Sequence, residues 1–215
     1  MTYPAPPDMP TTTDYTVDVN GQDSFVYSTF IAKFSNFSFG SGPVRVTVTT
    51  NVDANTVDIR PKALNITPRF VPGSRTLEFD LTKPANLSIE VNGNLANPLF
   101  LFANPLETSR PDRLDPNVIY FASGQIYDVG ELVVGSNKTV YVEGGAVVRG
   151  KLRIGSGTPT GVGATNVRVL GRGIVDSSLL TNVGRPVRIN NSNTVTLDGP
   201  IFLGKESWGV VANQS

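Results

Sequence analysis

From Tyr15 to Pro105 the chain is a succession of short alternating segments: YTVDV (15–19), SFVYSTF (24–30), VRVTVTT (44–50), TVDIR (56–60), TLEFDL (76–81), LSIEV (87–91) and LFLFA (99–103). Alternation with a period of two places successive side chains on opposite faces, the pattern of a strand with one buried side. Their β-branched and aromatic residues suit a pleated surface. Asn20-Gly21 and Asn92-Gly93 read as hairpin turns, because both residue types tolerate positive φ. Seven such segments within residues 15–105 predict an antiparallel β-sandwich. The aromatic stretch NFSFGSG (36–42) reads as a sandwich loop with buried Phe. Residues 1–14, rich in Pro and Thr, read as an extended lead-in, and no segment shows a helical period.

The rhythm breaks at NPLETSRPDRLDPN (104–117), whose three prolines and five charges mark residues 106–116 as a linker. A repeat follows it. NVIYFASG begins at 117, TVYVEGGAVVRG at 139, NVRVLGRGIVDSS at 166 and TVTLDGPIFLG at 194. The leading valines, 118, 140, 167 and 195, are 22, 27 and 28 residues apart. In the last three repeats a glycine follows, then an apolar triplet: AVV (146–148), GIV (173–175) or PIF (200–202). A third short strand closes each: KLRI (151–154), PVRI (186–189) and GVVA (209–212). Three short strands per irregular repeat predict about four coils of a right-handed parallel β-helix over residues 117–215. Each coil stacks its apolar side chains on the coil before, and glycine admits the sharp bend between strands. The predicted class is therefore all-β, a sandwich followed by the first coils of a solenoid.

Composition narrows the chemistry. Lys plus Arg and Asp plus Glu are 18 each, so the formal charge is zero and no basic or acidic run speaks for nucleic acid or an anionic membrane. Apolar runs such as LFLFA are too short to span a bilayer. With no cysteine and no histidine, disulfides, thiolate catalysis, Ser-His-Asp triads and the usual zinc sites are excluded within these residues. The start, MTYPAPPDMPTTTDY, lacks the pattern of a secretory signal.

Several segments carry a resemblance: PANLSIEVNG…NPLFLFANP, VIYFASGQIYDVGELVVGSNKTVYVEGGAVVRGKLRI, NVRVLGRGIVDSS and TVTLDGPIFLGKESWGVVANQS. They resemble the bacterial pectin-lyase-like glycoside hydrolases, the polygalacturonase family (glycoside hydrolase family 28) first and the dextranase/isopullulanase family (family 49) next. The resemblance implies an inverting polysaccharide hydrolase that needs no cofactor or metal. It acts on a pectin-type or dextran-type polymer, is secreted or periplasmic, and works as a monomer when full length. Its catalytic aspartates sit in Asn-Thr-Asp and Asp-Asp segments that follow a Ser-x-x-Trp-like strand, which Glu206-Ser207-Trp208-Gly209 resembles. Neither aspartate segment occurs in this sequence. The expectation is an N-terminal portion of a longer enzyme, without the catalytic coils and without activity of its own. A non-catalytic adhesin or tail-type stalk is the rival reading, and a calcium-dependent lyase finds no supporting cluster.

No residue of this chain is therefore expected to be catalytic. Lys205, Glu206 and Trp208 are the candidate substrate contacts, since a flat aromatic beside polar groups can stack on a sugar face. Asp176 and Asp198 read as turn aspartates that cap backbone amides. Glu131 and Glu143 read as solvated edges beside glycine turns. Arg149, Arg168, Arg172 and Arg188 recur on the repeats; a polyuronate would suit them, but alternation makes them outward strand residues.

Overall fold

A computed structural model describes residues 1–29, 32–156, 161–180, 185–205 and 209–213. Two compact units are present: Met1–Tyr3 with Asp8–Leu106, and Pro4–Pro7 with Glu107–Ser215.

The first unit holds ten strands: β1 (Tyr15–Val19), β2 (Gln22–Ser24), β3 (Val26–Ser28), β4 (Lys33–Phe39), β5 (Val44–Ala54), β6 (Val57–Arg60), β7 (Arg69–Phe70), β8 (Ser74–Leu81), β9 (Ala85–Val91) and β10 (Leu99–Pro105). They form two five-stranded sheets, β2-β1-β5-β8-β7 and β3-β4-β10-β9-β6. Val46, Val48, Leu77 and Phe79 of the first sheet share one buried core with Phe37, Ile89 and Leu101 of the second. The Asn20-Gly21 turn closes β1 onto β2, with φ of 52° and 82°. Asn92-Gly93 also has positive φ, but the return strand starts only at Leu99. Asn92 Oδ1 instead accepts the Asn55 and Thr56 amides at 2.8 and 3.1 Å.

Residues 36–42 depart from the loop expected of them. Asn36–Phe39 belong to β4, which runs parallel to β10 from Lys33↔Leu99 to Phe39↔Pro105. Phe37 and Phe39 are buried in the core. Ser35, Phe37 and Phe39 share the face toward that core, while Phe34, Asn36 and Ser38 take the other face, which is buried as well.

The second unit holds β11 (Val118–Phe121), β12 (Ile126–Val134), β13 (Thr139–Val142), β14 (Val147–Ile154), β15 (Thr165–Gly171), β16 (Ile174–Asp176), β17 (Val187–Asn190), β18 (Asn193–Asp198), β19 (Ile201–Leu203) and β20 (Val210–Asn213). Among the described residues all its pairings are parallel and form three columns. The first is β11-β13-β15-β18. β12 and β14 are bent at Gly130 and Gly150, and each contributes to two columns. Their first halves continue into β16 and β19, and their second halves into β17 and β20. That is the β-helix expected from the repeat. The triplets stack as Val147↔Ile174↔Ile201, and the closing strands as Leu152↔Val187↔Val210.

The leading valines do not stack on one another throughout. Val118 lies opposite Thr139, and Ile119 opposite Val140. Val140 lies opposite Val169, whereas Val167 lies opposite Val195. Between Val140 and Val167 the reason is a difference in turn length. Glu143, Gly144 and Gly145 separate Val142 from Ala146, but Arg172 alone separates Gly171 from Gly173, the residues stacked on that pair. Among the described residues, helical structure is confined to one 3-10 turn at Lys62–Leu64, and no helix is long and apolar enough to cross a membrane.

Candidate functional site

The column formed by the second halves of β12 and β14 with β17 and β20 presents an alternating surface. Leu132, Val134, Leu152, Ile154 and Val187 point inward, where buried aliphatics continue from coil to coil. The intervening residues Glu131, Val133, Lys151, Arg153 and Arg188 take the other face. Register then sets neighbours: Glu131 lies opposite Lys151, and one row runs Val133↔Arg153↔Arg188↔Val211.

Two cations thus meet one carboxylate, with the charge of a third, Arg188, near it. Glu131 Oε2 receives Lys151 Nζ at 2.8 Å, and its Oε1 receives Arg153 Nη2 at 2.9 Å. The Lys151 ammonium, then the Arg153 and Arg188 charges, hold the Glu131 carboxyl below its ordinary value. Both oxygens are engaged, and Arg188 has no ion pair among the described residues. The Nε atoms of Arg153 and Arg188 are shielded from solvent without a hydrogen-bond partner. Like charges directly opposite on adjacent strands are unfavourable, so this row is electrostatically under-compensated.

A second polar cluster lies on the outer face of β13. The fully buried Tyr141 donates its phenol to Glu107, with O–O distances of 3.0 and 2.9 Å. Burial, then the Glu107 carboxylate, push that phenol well above its ordinary value. Arg110 links Glu107 at 3.7 Å with Glu143 at 2.7 Å. Glu143 also accepts the Ser123 amide at 3.0 Å, and Arg113 lies over the Tyr120 ring at 5.5 Å. The 106–116 stretch, read as a linker, thus sends Glu107, Arg110 and Arg113 onto the β-helix. Proline and charge density reported irregular backbone, but not what its charges would meet. Glu143, expected to be a solvated edge, is instead held in this network, whereas Glu131 is exposed as expected and ion-paired in the other. Neither cluster gathers three or more His, Cys, Asp or Glu, and no such group occurs among the described residues.

Of the expected sugar contacts, Glu206 and Trp208 lie outside the described residues, and Lys205 is exposed at a bend between β19 and β20. Asp176 accepts the Ser178 amide at 2.8 Å, the turn role read from its position, and Asp198 is exposed at the end of β18. Arg168 is exposed on β15. Arg172 departs from the outward reading: it is buried in the turn after β15, where its Nη1 donates to the Gly171 carbonyl at 3.0 Å. Lys151 and Arg153 were not singled out in the sequence, although KLRI and PVRI align residue for residue and so place Arg153 over Arg188.

No family model matches the sequence, and no curated protein matches it. The fold is similar to Dex49A from Penicillium minioluteum, with a TM-score of 0.63, 15% identity and 100% of this chain covered. The chain spans 59% of that structure's length.

Proposed function

We propose that this chain forms the sandwich and early coils of a polysaccharide-hydrolysing enzyme, an inverting glycoside hydrolase of the polygalacturonase-like type that is exported. The observation that carries the reading is the order of its parts. A β-sandwich unit is followed by three stacked parallel columns, and the whole length aligns with Dex49A, a glycoside hydrolase. That likeness also favours a second reading, a dextran-type substrate, because Dex49A is a dextranase.

Inverting hydrolysis needs one acid for the leaving oxygen and one carboxylate for the attacking water, about 6.5–9.5 Å apart. We assign that pair to coils outside these 215 residues. The sequence has no Asn-Thr-Asp or Asp-Asp segment. Glu107 and Glu143 already have their oxygens occupied by Tyr141, Arg110 and the Ser123 amide. Glu131 is occupied by Lys151 and Arg153. The role left to this chain is to bind. The purified chain is expected to be retained on insoluble polysaccharide and to release no reducing sugar from polygalacturonate or dextran. Release of sugar by it would overturn the assignment of the acids, and lack of retention on every polysaccharide would overturn the binding role.

A further inference from the structure

The Val133↔Arg153↔Arg188↔Val211 row combines features that the fold itself does not need. Two guanidinium side chains stand on directly opposed positions of adjacent strands, with Lys151 one row away. Glu131 is the only carboxylate ion-paired to this group among the described residues, and its two oxygens are taken by Lys151 and Arg153. The Nε donors of Arg153 and Arg188 are shielded and unpartnered. The chain as a whole is formally neutral, so this is local enrichment and not the overflow of a basic protein. Arg149 differs: its register partners are Asp128 and Asp176, one acid on each side.

We propose that Lys151, Arg153 and Arg188 form an anion subsite on the outer face of the second and third coils, taking a carboxylate of a uronate-containing polysaccharide. The inference rests on the polysaccharide reading above and adds a binding position and its charge selectivity. A planar guanidinium matches a carboxylate in two-point geometry. Val133, 52% exposed at one end of the row, offers an apolar surface to the carbon face of a sugar ring. A neutral glucan would leave the arginine pair as it is, with nothing to offset the facing charges.

The test is binding of the 215-residue chain, by titration calorimetry, to polygalacturonate, its methyl ester, dextran and single-stranded DNA. Polygalacturonate is expected to bind, with affinity falling as salt is raised, and the methyl ester and dextran to bind at least about tenfold more weakly. Arg153→Gln combined with Arg188→Gln is expected to lose about tenfold or more for polygalacturonate. Arg168→Gln, a charge-matched change on the exposed face of β15, is expected to leave it unchanged. The double variant should melt close to the parent, since relief of the facing like charges offsets the lost Arg153–Glu131 pair. Equal affinity for dextran, tighter binding of DNA, or a loss with Arg168→Gln as large as with the double variant would each overturn the subsite. The substrate arms need no variant, so a misfolded double variant does not shield the inference. The readout is binding, so failure here is separate from failure of the hydrolase assignment, which product release decides.

Discussion

Glycine positions separate by what surrounds them. At Gly171 φ is +118°, and a side-chain carbon would run into the Val142 carbonyl of the coil below. Gly135 has open space around the same added atom. Gly171→Ala is expected to cost ~2 kcal/mol or more through strain and collision, and Gly135→Ala to stay within about 0.5 kcal/mol, both read from denaturant midpoints. Glu131 makes a pH-dependent contribution. Its carboxyl is held below the ordinary 4.5, chiefly by Lys151. A depressed carboxyl stabilises the fold above its unfolded value, and the effect is lost as pH falls through the folded value. Comparison of the parent with Glu131→Gln should show an advantage of ~0.5 kcal/mol at neutral pH, discounted for partial exposure and weaker in high salt. The advantage should vanish well below pH 4.5. An advantage that persisted there would mean that packing, not charge, makes the difference.

At the scale of elements, the 107–116 segment behaves as a strap and not as a spacer. Its anchor is Tyr141, whose phenol meets both oxygens of Glu107. Tyr141→Phe keeps the ring but leaves Glu107 without that donor, at a cost of about 1–2 kcal/mol. Faster amide exchange from Glu107 to Arg113, with β13 itself unchanged, would show the strap releasing; unaltered exchange would remove Tyr141 as its anchor. Much of this level was legible in the sequence. YTVDV became β1 over the same five residues, because a one-faced strand closed by Asn-Gly has little choice of boundary. β4 was not legible as a strand. Both its faces are buried, so FSNFSF lacks the inside-outside alternation that announces a half-exposed strand.

Across the whole molecule, two separate hydrophobic cores divide the work. In a stacked solenoid each coil is stabilised mainly by its immediate neighbours. Leu152, fully buried, has Leu132 on one side and Val187 on the other, whereas Leu132 is only partly buried. Leu152→Ala is therefore expected to cost ~2–5 kcal/mol and Leu132→Ala distinctly less, by chemical denaturation followed in the β-sheet circular dichroism band. Equal costs would show that the column does not behave as a chain of neighbour contacts.

What the sequence by itself determined is the set of faces. Period-two alternation assigns each strand residue to an inside or an outside, and recurring triplets such as AVV, GIV and PIF report that coils stack. The absence of cysteine and histidine removed whole classes of chemistry. What only the tertiary structure decided is which residues become partners. A strand pattern reads the same whether it slides by two residues, and a turn such as Glu143-Gly144-Gly145 sets that slide without changing the pattern. The leading valines consequently fell out of line, while Arg153 and Arg188, 35 positions apart, came to face each other. Side-chain alternation is a local property of the backbone, but register is set by turn length and by the packing of one coil on the next.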